Sequence, residues 1–376
     1  MRVVRSLLRY ELLPVRLPAI FRPYRHSFFL EFGLPLLDNE SMRPATVLKY
    51  YKNTVLQRLF HKIPLLLIIA LLPLSLAACG TVRDGNAAPK EKEPFVFSDE
   101  KGSRDNTPVC LVPTAPGTEL YEGEAVTIDT SNKENGYFMI RYTGDAPAGG
   151  KVKLQVAAPN DVVYTYNLTP GADDTVIPFS LGSGEYTVSI FTNIKDNMYA
   201  LADRREISVQ LADELSPFLY PNQYVQYNSD TEAVDIASRA CLPANSDLDA
   251  VSMIYNYVIS TLEYDYDKAR TVQSGYLPRI DEILAAKKGI CFDYASLICA
   301  MLRSQRIPAR LEIGYAGQVY HAWISTHISE IGWVNGMIRF DGTTWSLMDP
   351  TLASNGAGDL KEFIGSGDNY RTVYMY

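Results

Sequence analysis

The chain has 376 residues, 35 Lys and Arg against 43 Asp and Glu, a formal net charge of −8 at pH 7, and 47% hydrophobic residues. That apolar share supports a packed core and excludes a disordered or fibrous chain, while the acidic balance argues against nucleic acid as a partner. The five cysteines include no Cys-x-x-Cys pair, and neither a His-x-x-x-His spacing nor a Gly-rich phosphate loop is present, so no metal and no cofactor is expected.

In chain order, the first signal is a leader. Lys49, Lys52, Arg58 and Lys62 precede the apolar run IPLLLIIALLPLSLAA. A basic flank, a short apolar core and small residues before a cleavage point describe a secretory signal. The run is shorter than the roughly 20 apolar residues of a membrane span, and two prolines interrupt it. Its end, Leu76-Ala77-Ala78-Cys79-Gly80, resembles the bacterial lipoprotein lipobox, which implies lipidation of Cys79 and an extracytoplasmic protein held on the bacterial cell membrane. Residues 1–78 would be removed, and Met42 is an alternative start that would make residues 1–41 a misassigned extension. Removal leaves 24 basic and 39 acidic side chains, a net of −15, so attachment would rest on the lipid and not on anionic headgroups. From Gly80 to about Pro108 the chain is polar and charged, so residues 79–112 are expected as a flexible tether after the lipidated cysteine.

From Glu119 to Leu211 the period is two. The runs AVTI, YFMIRY, KVKLQV, VVYTYNL, TVIPFS, EYTVSIF and REISVQL recur between turn-forming segments such as APAGG and GSG. Seven strands at this spacing predict an antiparallel, immunoglobulin-like β-sandwich over residues 113–215. No chemistry is evident in it, and a spacer or substrate-presenting module is expected.

Residues 216–230 bridge to the last domain, 216–376, and Phe218, Tyr220, Tyr224 and Tyr227 are expected to pack an interdomain seam. Helical patterns follow in residues 231–242, 247–262 and 279–289, then in the run that opens at Cys291. Strands are expected near 309–315, 320–329, 337–340 and 344–348, with Asn335-Gly336 and Asp341-Gly342 as tight hairpin turns. Helices first and strands after give an α+β core.

Cys291 opens a helix whose stretch Leu297 to Leu302 is apolar on every side, the pattern of a buried helix. Unpaired amides and the macrodipole at such an N-terminus favour an anion by about 1 kcal/mol. That alone does not form a thiolate, so a neighbouring imidazolium must supply the rest, and His321 is the expected source. In the strand HAWISTHIS, His321, Trp323 and His327 share one face, but His327 lies roughly 20 Å further along. Asp349 ends the apolar run WSLM before Pro350, where it could fix the imidazole tautomer. Thiol, imidazole and carboxylate thus follow at spacings of 30 and 28 residues. Cys299 sits about 12 Å along the same helix and cannot bridge to Cys291, whereas a Cys110–Cys241 bridge is left open.

These residues resemble the transglutaminase-like superfamily. The matching positions are Gly289, Cys291, Tyr294 and Ala295, then His321, Ala322 and Trp323, then Trp345, Asp349, Pro350 and Thr351, with Leu302, Arg303, Ile307, Pro308, Ala309 and Arg310 in the helix end and following strand. Spanning about residues 231–352, the resemblance implies a papain-like core with Cys291 as nucleophile, His321 as base and Asp349 as orienter. Ser325 departs from the family, which often has an acidic residue two positions after Trp. The expected activity is thiol acyl transfer on an amide or peptide carbonyl of a protein, peptide or cell-wall peptide, with hydrolysis favoured over cross-linking because no amine channel can be named. The Cys291 amide is expected in the oxyanion hole, with Gln273 and Tyr276 as candidate side-chain donors. The contrasting expectation is a non-catalytic adhesion or scaffold protein that retains the fold.

Overall fold

The computed structural model describes residues 93–316, 319–329, 331–335, 337–340, 345–348 and 370–376. The leader, Cys79, the Asp341-Gly342 turn and Asp349 lie outside the described residues.

The first lobe is all β. Strands β1 (Leu120–Glu122), β2 (Val126–Asp129), β3 (Tyr137–Tyr142) and β6 (Thr175–Pro178) form one antiparallel sheet in the order β1-β2-β3-β6. Strands β4 (Val152–Ala157), β5 (Val163–Leu168), β7 (Gly184–Lys195) and β8 (Met198–Val209) form a second, in the order β5-β4-β7-β8. The seven expected runs are all strands, and β1 is an addition. Alternation does the folding here. Val152, Leu154 and Val156 of β4 and Tyr186, Val188 and Ile190 of β7 point inward and are buried, and so are Val126, Ile128, Phe138 and Ile140 of the first sheet. Phe179 bridges the two sheets through Phe138 and Tyr186, with ring centroids 5.3 and 4.8 Å away.

The second lobe contains α1 (Glu232–Ala240), α2 (Asp247–Thr261), α3 (Tyr266–Thr271), α4 (Ile280–Ala286) and α5 (Cys291–Ser304). A two-residue parallel pair, β9 (Glu263–Tyr264) with β10 (Lys288–Gly289), ties the end of α2 to the chain entering α5. An antiparallel sheet follows: β11 (Ala309–Ala316), β12 (Val319–Ile328), β13 (Gly332–Asn335) and β16 (Tyr370–Met375), in the order β13-β12-β11-β16. Strands β14 (Met337–Phe340) and β15 (Trp345–Met348) pair separately. Of the expected Asn335-Gly336 turn, Gly336 lies outside the described residues. β13 pairs with β12 and β14 with β15, so the chain changes sheets at that point.

Helix α5 is the axis of this lobe, and Phe292 through Ser304 are all buried. It ends in a Schellman motif in which the Arg306 N–H reaches the Arg303 carbonyl and the Ile307 N–H the Leu302 carbonyl, at 2.9 and 3.0 Å. Arg306 takes the left-handed position at φ 62°, where glycine is the usual occupant, and its guanidinium is held by the Thr107 carbonyl at 3.1 Å. Pro308 follows and prevents continuation.

The aromatic bridging segment packs the seam. Tyr224 lies 4.1 Å from Tyr376, 5.7 Å from Tyr166 and 5.8 Å from Phe292, joining the β lobe, β16's end and α5. Buried Arg303 gathers three backbone segments, donating to the carbonyls of Tyr220 (2.6 Å), Ala309 (2.7 Å) and Tyr376 (2.7 Å). One hydrophobic cluster runs through both lobes.

Residues 93–112, expected within a flexible tether, are instead fixed to the second lobe. Polar composition suggested freedom, but specific partners override it. Phe95 and Phe97 pack on Tyr257, Arg104 pairs with Asp247 at 2.7 Å and donates to the Gln305 carbonyl, and the Val109 N–H reaches the Ser304 carbonyl at 2.8 Å.

Candidate active site

Cys291 is the first residue of α5 and its only partly exposed member, every later residue of the helix being buried. A helix otherwise closed to solvent thus presents one thiol at its N-terminus, where the backbone amides have no helical partners.

The approach to that thiol is fixed from several sides. Asp265 N–H bonds the Gly289 carbonyl at 2.8 Å, and Glu263 N–H bonds the Lys287 carbonyl at 2.9 Å. Gly289 is required for space, since a Cβ there would lie 2.7 Å from Asp293 Cβ. The Tyr294 hydroxyl donates to the Leu262 carbonyl and Ser296 Oγ to the Tyr224 carbonyl, at 2.8 and 2.7 Å.

Asp293, two residues after the thiol, is the feature that sequence reading missed. It is fully buried and accepts three hydrogen bonds: from the Ile290 N–H (2.8 Å), the Tyr276 hydroxyl (2.6 Å) and Lys268 Nζ (2.7 Å). Lys268 Nζ also donates to the Tyr276 hydroxyl at 2.6 Å. The bond to Ile290 satisfies the helix-capping donor from the third helical position, a service that the Ile290 side chain cannot return. The two others clamp α3 and the loop after it against the helix start. Burial first, and the hydrogen bond to Asp293 second, push the Tyr276 phenol above its ordinary value.

This arrangement gives the two candidate oxyanion donors other duties. The Tyr276 hydroxyl proton is committed to Asp293. Gln273 is exposed and its amide donates to the Thr271 carbonyl at 2.7 Å. An Asp three residues into a helix was a visible signal, but its lysine and tyrosine partners, 25 and 17 residues away, carry no pattern in sequence.

His321 is buried near the start of β12, paired with Gly314 of β11. Its ring lies nearly parallel to that of Trp323, the centroids 6.5 Å apart, and Trp323 Nε1 donates to buried Glu312 at 3.1 Å. Gly314 makes room on this face, since a Cβ there would meet Trp323 at 2.9 Å and the Arg371 carbonyl oxygen at 2.1 Å. Strand alternation puts Tyr320 on the other face, with Ala322 and Ile324. The Tyr320 phenol is raised first by burial and then by neighbouring tyrosines. His327 packs on Trp333, 5.5 Å between centroids. The buried thiols differ: burial pushes Cys299 and Cys241 up to about 12. Cys110 and Cys241 are free, not bridged. Among the described residues, no group of three or more His, Cys, Asp or Glu side chains could hold a metal ion.

Residues 234–336 match the family model of the transglutaminase-like superfamily, a span that contains Cys291 and His321 and ends before Asp349. Three solved structures are similar at low identity. One, provisionally described as a cysteine protease from Cytophaga hutchinsonii, is 16% identical with a TM-score of 0.32, covering 68% of this chain and 73% of that one. Another, provisionally described as a protease from Parabacteroides distasonis, is 14% identical with a TM-score of 0.25, covering 56% and 57%. The transglutaminase of red sea bream is 13% identical with a TM-score of 0.27, covering 62% and 54%. The chain thus spans little more than half the length of the last two. No curated protein matches it.

Proposed function

Starting from the transglutaminase-like domain at residues 234–336, we propose a thiol acyl-transfer enzyme that attacks an amide or peptide carbonyl through Cys291. The carrying observation is the helix that buries residues 292–304 and leaves Cys291 alone at its open N-terminus. Attack by the sulfur forms a C–S bond and expels the amine, which takes a proton from the imidazolium of His321. Water then hydrolyses the thioester, returning the thiol and a carboxylic acid. The free amides of the first turn of α5 face developing negative charge. Asp349 is assigned the orienting role on the family resemblance. Hydrolysis is preferred to cross-linking because water needs no dedicated channel. The β lobe is assigned to the immunoglobulin-like type and acts as a spacer. Cys79, lipidated after cleavage of the leader, would hold the enzyme at the outer surface of a bacterial membrane.

The second reading is a non-catalytic scaffold that retains the fold. Glutamine-containing and cell-wall peptides incubated with wild type and Cys291→Ala separate the two. Turnover by wild type alone, with the acyl group trapped on Cys291 and weighed by mass spectrometry, is the expected result. No adduct and equal, null turnover across the panel would favour the scaffold.

A further inference from the structure

An open cleft of about 830 Å³ lies between the lobes. Its volume is in the range of ligand sites. One wall is the β5–β6 loop and β6, the floor is the bridging segment at Asn222 and Gln223, and the other wall is the start of α4. Three features converge on it.

The first is charge. Asp173, Asp174, Asp281 and Glu282 line the cleft against a single lining base, Arg279. Asp174 is paired with Arg141 at 3.2 Å, Glu282 lies 3.9 Å from Arg279 and Asp281 accepts the Glu232 N–H at 3.1 Å, while Asp173, Asp281 and Glu282 are exposed at the surface. The second is an unmet donor and an unmet acceptor on adjacent floor residues. Asn222 and Gln223 are only 4% and 9% exposed. Asn222 spends its side-chain oxygen on the Tyr224 and Val225 N–H groups, and Gln223 spends its nitrogen on the Asn167 carbonyl. This leaves Asn222 Nδ2 and Gln223 Oε1 without partners among the described residues. Buried polar groups are seldom left so, and each costs about 1–3 kcal/mol. Both atoms are closed to solvent, so they mark a polar floor that a ligand would have to unpack in order to satisfy. The third is the edge of β6. Among the described residues this strand is terminal in its sheet and pairs only with β3, and Thr175 and Val176 line the cleft. Half of an edge strand's backbone groups point away from its partner and are open to another chain.

We infer that this cleft binds an extended peptide bearing lysine or arginine side chains, adding it along β6 and pairing its charges with Asp173, Asp281 and Glu282. Main-chain bonds would supply affinity and the acidic rim selectivity, as in other strand-addition sites. The cleft also sits one residue from the active-site clamp, since Leu277 lines it and Tyr276 bonds Asp293.

The binding does not depend on thiol chemistry, so it is measured on the full Cys291→Ala chain, by fluorescence anisotropy. The probes are a labelled octapeptide alternating Lys and Thr, its Glu–Thr counterpart, and a Lys–Thr version N-methylated at alternate amides. The Lys–Thr peptide should bind, the other two should bind at least tenfold more weakly, and the combined Asp173→Asn, Asp281→Asn, Glu282→Gln variant should weaken it at least tenfold. A control changing the exposed Glu122, Glu124 and Glu206 to Gln removes the same charge elsewhere and should leave affinity unchanged. Equal losses in the two triple variants would reduce the effect to general attraction by an acidic surface and overturn the site. Undiminished binding of the N-methylated peptide would overturn strand addition. Because the probe carries no glutamine, the result stands whether or not the protein turns over any substrate.

Discussion

Removing Lys268 from the clamp beneath the thiol should cost more than its partial exposure suggests. Its side chain is 29% exposed, but its partner Asp293 has no exposed side-chain surface. In Lys268→Met a buried carboxylate keeps only the Ile290 N–H and the Tyr276 hydroxyl. Breaking a fully buried pair costs about 3–5 kcal/mol, and the solvent-facing lysine reduces this to about 2–3 kcal/mol here. Asp293→Asn should cost less, about 1–2 kcal/mol, because the lysine left behind can turn to water. Once position 293 is uncharged, losing the lysine matters little, so the double variant should be more stable than the sum by about 2–3 kcal/mol. The assay is thermal unfolding of the four proteins at pH 7. At about 2–4 °C per kcal/mol for a domain of this size, Lys268→Met should lower Tm by about 5–10 °C. Additive effects, or a Lys268→Met protein within about 1 °C of wild type, would show that Asp293 does not rely on the lysine.

Iodoacetamide should modify Cys291 at neutral pH at least a thousandfold faster than Cys299 or Cys241, which burial holds up to about 12; peptide mapping that found comparable rates would remove the basis for the nucleophile. Asp349→Asn should leave unfolding unchanged yet reduce turnover, with about 10⁴ the precedent in a serine triad, while Asp341→Asn should have little effect on rate; the reverse order would reassign the orienting acid. Stability should also fall in alkali. Cys299 and Cys241 are neutral when folded up to about pH 12 but ionise near 8.5 when unfolded, so the unfolded state loses protons first and each buried thiol withdraws about 2 kcal/mol of stability between pH 8.5 and 10. A Cys299→Ala protein should therefore show a shallower decline in Tm from pH 8 to 10, and an unchanged slope would refute that origin.

What was legible in the sequence follows from periodicity. The strands of the first lobe alternate cleanly because each sheet buries one face, and α5 declared itself by being apolar all round. The order of thiol and imidazole, and the strand carrying His321, were readable for the same reason. The pieces without a period were not. The β9–β10 pair has two residues per strand, and α3 is six mostly polar residues stabilised by Asp265, whose side chain accepts the Lys268 N–H. Tyr276 was singled out as a candidate oxyanion donor, and only tertiary contact shows that its proton goes to Asp293. Strand β16 was missed because its partner β11 lies more than 50 residues upstream, and register across that distance leaves no local mark.

The segment before the β lobe has a mechanical consequence. Residues 102–109 run from the turn between α1 and α2 to the tail of α5, fastened by Gly102 N–H to the Leu242 carbonyl, Arg104 to Asp247, and Val109 N–H to the Ser304 carbonyl. A pull on the chain ahead of residue 93 would load these fastenings in series before any tension reached either sheet. The force would arrive at the tail of α5, 13 residues from Cys291 and about 20 Å along the helix. A load entering through this segment would thus be absorbed far from the sulfur, and the rupture of these few bonds, not distortion of the thiol, would be the first event under strain.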